Sequence, residues 1–352
     1  MSFDHGMAAL NLDMPPRVPR TEYSAAEHWD LVRAVTGIDV DAFSSERVKR
    51  SARRRFYAAW NYDLIWNVLV DAESLGSYRT HMGHAVYAAE GTDYDQKVFR
   101  LFDDPEDVYA FDFTEALGSQ NHAGLIKCFN THYDAVVGEY PHAVNMTGIY
   151  ITCMSGLIYL LGWDMLLTAA GLDSKRFGDF TNRYVKWVYP YFLALAESKA
   201  PVVMIHDDIA WTSGAFLHPD WYRRYIFPNY RRLFDPLRQA GKKIIFTSDG
   251  NYTAFIDPIA ACGVHGFVLE PMTDMGYIAA KYGKTHAFAG NADTRILLSG
   301  SKEDIYAEVK RCMDIGKKCP GFFMAVGNHI PANTPVENAL YYQEAYEKLS
   351  RR

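Results

Sequence analysis

In its second half the chain is punctuated by short apolar runs that keep ending in polar or charged residues. PVVMIHDD ends at Asp208, KKIIFTSDG at Gly250, VHGFVLEP at Pro271, THAFAGNAD at Asp293 and FFMAVGNH at His329. The runs are apolar on both faces, as strands buried between two layers are. The stretches between them are long enough for helices. Repeated strand–helix units build a parallel sheet, and right-handed crossovers bring every strand's C-terminal end to one side.

The alternation predicts strands over 201–206, 243–247, 264–269, 285–289 and 321–326 and another over 143–150, while 62–70 reads as a first strand or as the end of a long helix, the strand being preferred. Helices are expected over 219–240, 252–261, 273–282 and 302–317. A last one is expected over 335–349, with Thr334 as its cap and Glu337 three residues on. The expected fold is α/β, a single (β/α)8 TIM barrel with an N-terminal helical extension. Residues 1–24, which carry PPRVPR, read as an extended arm, and 25–352 as the barrel with its N-terminal helices. An open doubly wound sheet is the alternative. The lack of any GxGxxG after a strand argues against a dinucleotide-binding version of it.

A length of 352 residues suits one barrel. The net charge of −6 argues against nucleic acid as a partner. The basic run RVKRSARRR reads as a solvated helix face. Five cysteines, odd in number and without a CxxC pair, argue against a disulfide framework or a structural thiolate zinc site. The segment MSFDHGMAALNLDMPP lacks an export pattern, and the apolar stretches read as broken before 18 residues. No membrane association is therefore expected, and a cytoplasmic location is.

In a β/α barrel the catalytic groups come from strand ends and the loops after them. Those positions hold His206, Asp207 and Asp208, then Thr247, Ser248 and Asp249, then Glu270, then Asn291 and Asp293, then Asn328 and His329. Carboxylates converging on one concave mouth cannot all stay charged unaided. They share protons, pair with cations or bind a metal. Asp207, Asp208, Asp249 and His329 are the expected catalytic groups, working as general acids and bases. His206, Asp249, Glu270 and His329 are the expected ligands of a divalent metal such as zinc. Asp207 and Asp208 are adjacent, so strand geometry sends them opposite ways, one to the site and one to a cap or a pairing role. Trp66, Thr147, Tyr150, Trp211, Asn291 and Asn328 are the expected substrate contacts. Tyr57, Trp60, Tyr62, Tyr87 and Phe216 would extend an aromatic wall.

Three strings carry a family likeness: HDDIAWTSGAFLHPDWYRRYIFPNYRRLFDPLRQAGKKIIFTSDGN, AFAGNADTRILLSGSKEDIYAEVKRCMDIG and GNHIPANTPVENAL. In order and spacing they resemble the uroporphyrinogen decarboxylase superfamily over about 144–349. The resemblance implies a single (β/α)8 barrel. It also implies one of two chemistries: porphyrinogen decarboxylation without a cofactor, or zinc-dependent methyl transfer to or from corrinoid proteins or thiols. Against the zinc methyltransferases, Thr247 and Asp249 stand where a His-x-Cys pair is usual, and Asn328 where a third cysteine is. Against the porphyrinogen decarboxylases, the early RQAGR-type motif is missing. Their late-loop histidine falls at Asn328, with His329 displaced by one. An acidic mouth would also repel a substrate bearing many carboxylates.

The resulting expectation is methyltransferase-like group transfer on a small methylated substrate, with a corrinoid protein as partner and the Asp/His/Glu cluster at work. The alternative is a cofactor-independent decarboxylase or lyase of the uroporphyrinogen decarboxylase type, acting on a small non-porphyrin substrate. A non-catalytic binding barrel is the third reading. A homodimer is expected as the assembly.

Overall fold

The computed structural model describes residues 1–80 and 101–352. Its strands are β1 (Leu64–Ile65), β2 (Val144–Asn145), β3 (Thr147–Ile149), β4 (Val202–His206), β5 (Ala210–Trp211), β6 (Gly214–Ala215), β7 (Lys243–Thr247), β8 (Gly266–Val268), β9 (Ala287–Ala292) and β10 (Phe322–Val326). Six of them form one parallel sheet in the order β10-β9-β8-β7-β4-β3. β1 and β2 pair in parallel, and β5 and β6 form an antiparallel hairpin. Single-residue parallel bridges join Val70 to Ile149, and Arg20 to both Tyr62 and Met324. The architecture is α/β and barrel-like, a parallel core sheet flanked by helices.

Alternation along the strands sorts residues into two layers. Val202 and Met204 of β4, Ile245 of β7, Val268 of β8, Ala287 and Ala289 of β9 and Phe323 of β10 meet in one inner cluster. Val203, Ile205, Ile244, Phe246, Phe267 and Phe322 join the larger core outside it, with the helices. Register carries this alternation across the sheet, with His206 beside Thr247 and Thr247 beside Val268. The same parity decides what reaches the space beyond the inner cluster.

Residues 1–24 depart from the extended arm expected of them. Phe3–Leu10 is a helix, capped by the Ser2 hydroxyl accepting from His5 N–H. Ala9 and Leu10 join the inner cluster, because apolar residues there cover the N-terminal ends of the strands. Arg17 grips Asp63 through two bonds of 2.7 and 2.8 Å. Arg20 is fully buried, paired with Glu22 at 3.1 Å and lying over the rings of Trp60, Tyr342 and Tyr346. Glu22 also accepts from Val326 N–H at 2.9 Å and Tyr342 Oη–H at 2.8 Å. The segment is thus tied to the sheet by ion pairs that its short sequence does not announce.

The final helix, Val336–Leu349, begins without the expected Thr334 cap. Thr334 instead uses its carbonyl to accept from His28 Nε2–H at 2.8 Å, and its buried hydroxyl has no partner among the described residues. Met154–Leu172 is, contrary to the expectation from sequence, long and apolar enough to cross a membrane. It is a core helix here: most of that length is buried against the protein, and Gly162 at φ 69° interrupts its regular backbone.

Candidate active site

A small pocket of about 30 Å³, partly open to solvent, lies at the C-terminal ends of the strands. Its wall includes Tyr23, Tyr150, His206, Thr247, Asp249, Glu270, Asn328 and His329. Parity accounts for most of this set. His206 follows Val202 and Met204, Thr247 and Asp249 follow Ile245, and Glu270 follows Val268, all on the inner face.

Asp208 Oδ1 accepts the backbone N–H of Asp249 at 2.9 Å and lies 3.5 Å from His206 Nε2. One ligand-type atom each from His206, Asp208 and Asp249 falls within 4.8 Å of the others. The Asp249 carboxylate, half-buried on the pocket wall, accepts no hydrogen bond from any described residue. Burial pushes its carboxyl well above the usual range, and the charges of Asp208 and Glu270 push it the same way. Asp208 is pushed up to about 7 by burial, helped by Asp207 and Glu270 and opposed by the Asp249 N–H. Asp249 is therefore biased toward holding a proton, by burial first and then by Asp208 and Glu270, and it faces the pocket.

Glu270 is fixed at both oxygens. Gly250 N–H donates to Oε2 at 2.5 Å, and Asn328 Nδ2–H donates to Oε1. Gly250 can do this because φ is +76° there, and a side chain would come within 2.6 Å of the Ala210 carbonyl. Asn328 Oδ1 accepts the His329 N–H at 2.8 Å, and burial pulls the His329 imidazole below its ordinary range.

The remaining expected site residues lie elsewhere. Asp207 is on the outer parity: its Oδ1 accepts from Cys153 N–H (3.0 Å) and Ser155 N–H (2.8 Å), its Oδ2 from Tyr230 Oη–H (2.5 Å). It holds the start of the Met154–Leu172 helix and does not line the pocket. Thr147 has the parity of Ile149 and is buried off the pocket, whereas Tyr150 lines it. Asn291 is buried in a brace: it donates to the carbonyls of Glu270 (3.2 Å) and Thr273 (3.1 Å) and accepts from Arg311 at 3.0 Å. Asp293 caps its own helix and pairs with Arg295. Trp66 stacks beneath Tyr23, with centroids 4.6 Å apart, and faces the inner apolar space. Trp211 sits on the β5–β6 hairpin with Trp163 and Phe216, outside the pocket. Tyr57, Trp60 and Tyr62 pack in the outer core. Tyr87 lies outside the described residues.

Two site residues escaped the sequence reading. Tyr23 comes from the supposed arm, and its stack on Trp66 places it on the pocket wall. Ser155 opens the Met154–Leu172 helix. Its hydroxyl oxygen accepts Asp208 N–H at 2.7 Å and lies 3.3 Å from His206 Nδ1. The Ser155-Gly156 pair shortly after the expected 143–150 strand is the signal the sequence holds for it.

A concave acidic site at the ends of parallel strands, in a barrel-like α/β frame, has the form of an enzyme active site. The uroporphyrinogen decarboxylase (URO-D) family model matches residues 100–349, and the chain belongs to that family. The uroporphyrinogen decarboxylase of Syntrophotalea carbinolica is 30% identical over 161 residues, 46% of this chain and 45% of that protein. That of Carboxydothermus hydrogenoformans is 29% identical over 175 residues, 50% and 46% of the two chains. The chain thus spans about half the length of the curated relatives it matches. Among solved structures, a methyltransferase from Methanosarcina mazei superposes with a TM-score of 0.64 at 18% identity, over 98% of this chain and 97% of that one.

These findings correct the methyl-transfer expectation. The family model and the relatives are decarboxylases, while the likeness to the methyltransferase, at 18% identity, extends to the fold alone. The physical reason lies in the site. The donor atoms that meet there are imidazole nitrogen and carboxylate oxygen, with no thiolate to bind and activate a soft sulfur substrate on zinc.

Proposed function

We propose that the chain is a decarboxylase or lyase of the uroporphyrinogen decarboxylase type acting on a small, non-porphyrin carboxylic acid, with Asp249 as proton donor. The observation that carries this reading is the Asp249 carboxyl itself. It faces the pocket, accepts no hydrogen bond from a described residue, and is driven toward its protonated form by burial, Asp208 and Glu270. A neutral carboxyl in such a place is a general acid.

In the step proposed, the bond between the substrate carbon and its carboxylate breaks and CO2 leaves. The electron pair stays on carbon and takes the Asp249 proton; solvent then restores that proton. Asp208 holds the Asp249 backbone in place and shares its charge. Burial, then Asp208, then Glu270, which is fixed by Gly250 and Asn328, keep Asp249 protonated. The pocket is small and partly open to solvent. Among the described residues its wall holds no Lys or Arg to neutralise a polycarboxylate. The frame is read, in the same proposal, as a (β/α)8 ring formed by the Arg20 segment, residues 62–65, residues 144–149, β4 and β7 to β10.

The test is CO2 release from a panel of small acids, with product recovered from D2O. One deuterium at the former carboxyl carbon is expected, together with loss of turnover in Asp249→Asn. Full activity in that variant would refute the assignment.

A second reading is favoured by the His206, Asp208 and Asp249 atoms gathered within 4.8 Å. One nitrogen and two carboxylate oxygens fit a divalent ion such as zinc or manganese. When bound, such an ion would polarise a substrate oxygen. Glu270 and His329, also expected as ligands, line the same pocket outside that trio. Stoichiometric metal in protein purified without chelator, lost in His206→Ala, supports this reading; turnover unaffected by exhaustive chelation opposes it.

A further inference from the structure

Asn291, buried away from the pocket, is held from outside the sheet. Arg311 lies on the Lys302–Gly316 helix, and its side chain is 40% exposed. Its guanidinium is nonetheless spent inward. Nη2–H donates to Asn291 Oδ1 at 3.0 Å, while Nε–H and Nη2–H hold Glu308 at 2.8 and 2.7 Å. Glu308 is buried, and its Oε1 also accepts the Asp293 N–H at 2.9 Å, so the ion pair is seated on the end of β9. A half-exposed ion pair contributes little by itself; this one is tied to main chain and to a buried amide.

A guanidinium can only donate. Arg311 therefore dictates how the Asn291 amide lies, with its oxygen toward the outer helix and its NH2 group toward the loops after the strands. From there Nδ2–H donates to the carbonyls of Glu270 (3.2 Å) and Thr273 (3.1 Å). Thr273 N–H closes the same turn onto the Glu270 carbonyl at 3.1 Å. Thr273, also buried, passes the constraint on. Its hydroxyl donates to the Gly250 carbonyl at 2.9 Å and accepts the Tyr252 N–H at 3.2 Å. Gly250 N–H in turn donates to Glu270 Oε2. The loop that carries Glu270 and the loop that carries Asp249 are thus locked together behind the pocket.

We propose that Arg311 is a positioning residue for the active site. By fixing the Asn291 amide from the outer helix, it holds Glu270 and the Gly250 turn, and with them Asp249, at their working separation. The coupling of the two loops stands on these contacts alone. Its consequence for turnover rests on the decarboxylase reading.

Amide hydrogen exchange, read residue by residue by NMR, tests this in Arg311→Ala. Alanine suits a half-exposed helical position, and the urea midpoint checks that the variant is folded. Gly250 and Tyr252, whose N–H groups cross to the other loop, are expected to lose protection by about tenfold or more. Asp249, whose N–H is held by Asp208, is expected to keep it. Guanidinium chloride far below denaturing concentration should restore both amides, and sodium chloride at the same concentration should not. Loss of protection at all three amides alike would make Arg311 a merely structural residue, and unchanged Gly250 and Tyr252 would mean no coupling; either result overturns the proposal. For an acid that the parent decarboxylates, kcat in Arg311→Ala is expected to fall by about 100-fold, the effect of misplacing a catalytic group by about 1 Å, with KM little changed. An unchanged kcat with both amides released would also overturn the positioning role. Release of the two amides in the variant, with no CO2 from any acid even in the parent, would sink the decarboxylase reading and leave the loop coupling standing.

Discussion

Asp249 gives its backbone N–H to Asp208 Oδ1 at 2.9 Å, so the two acids at the mouth are joined through main chain while the Asp249 carboxylate is left for the pocket. Removing that carboxylate should therefore remove chemistry and not fold. Asp249→Asn is expected to lower turnover by about 100-fold or more, with a thermal midpoint at pH 8 equal to or above that of the parent. A fall of several degrees in that midpoint would instead assign Asp249 a structural role.

The upward push on Asp208, to about 7, fixes a sign for pH dependence. The folded state holds a proton that the unfolded chain, with an ordinary aspartate, has already released. Asp208 therefore opposes folding increasingly as pH rises from about 4 through 7. Relative to the parent, Asp208→Asn should gain stability between pH 5 and pH 8, read as the difference in urea midpoints. The same proton predicts a fall in kcat/KM above about pH 7, because the Asp208–Asp249 pair must be protonated to donate. A rate that climbs through pH 8 would contradict it.

Ser155 positions two site residues without touching the open pocket. Its oxygen accepts Asp208 N–H at 2.7 Å and stands 3.3 Å from His206 Nδ1. Ser155→Ala leaves a buried N–H unsatisfied, a loss of about 1–3 kcal/mol. It should also displace the falling limb of the pH–rate profile, whereas Ser155→Thr should restore the limb. A stability loss with an unmoved limb would reduce Ser155 to a structural residue.

Asp207 should behave oppositely to Asp249. It accepts three hydrogen bonds in full burial, two from the start of the Met154–Leu172 helix and one from Tyr230. Asp207→Ala is expected to destabilise by about 3 kcal/mol or more, and Tyr230→Phe by about 1 kcal/mol. Chemical denaturation measures both. An Asp207→Ala protein of normal stability but no activity would return Asp207 to the catalytic set.

Much of the site was legible because strand ends are. His206, Asp208, Asp249, Glu270, Asn328 and His329 each follow an apolar run, and parallel strands put all those ends on one side. Period-two alternation also foretold that Asp207 and Asp208 would part. Which of the two would face inward depends on the phase of β4 against its neighbours, which no single strand carries. Asn291 and Thr147 misled for the same reason. Both sit at or near strand ends, but Asn291 is turned into a brace with Arg311, and Thr147 lies on the parity of Ile149.

The sequence by itself determined the alternation of strands and helices, the side of the sheet on which the acids gather and the absence of thiolates among the strand-end residues. These are local properties: hydrophobic runs, turn residues and residue identity. The tertiary structure alone decided that Tyr23 crosses from the N-terminal segment to the pocket wall and that Ser155 reaches Asp208. It also decided that Arg20 is spent on Glu22 while the Asp249 carboxylate meets no donor among the described residues. Each is a contact between residues far apart in the chain, or a matter of which face a side chain takes, and it is settled only when the layers pack together.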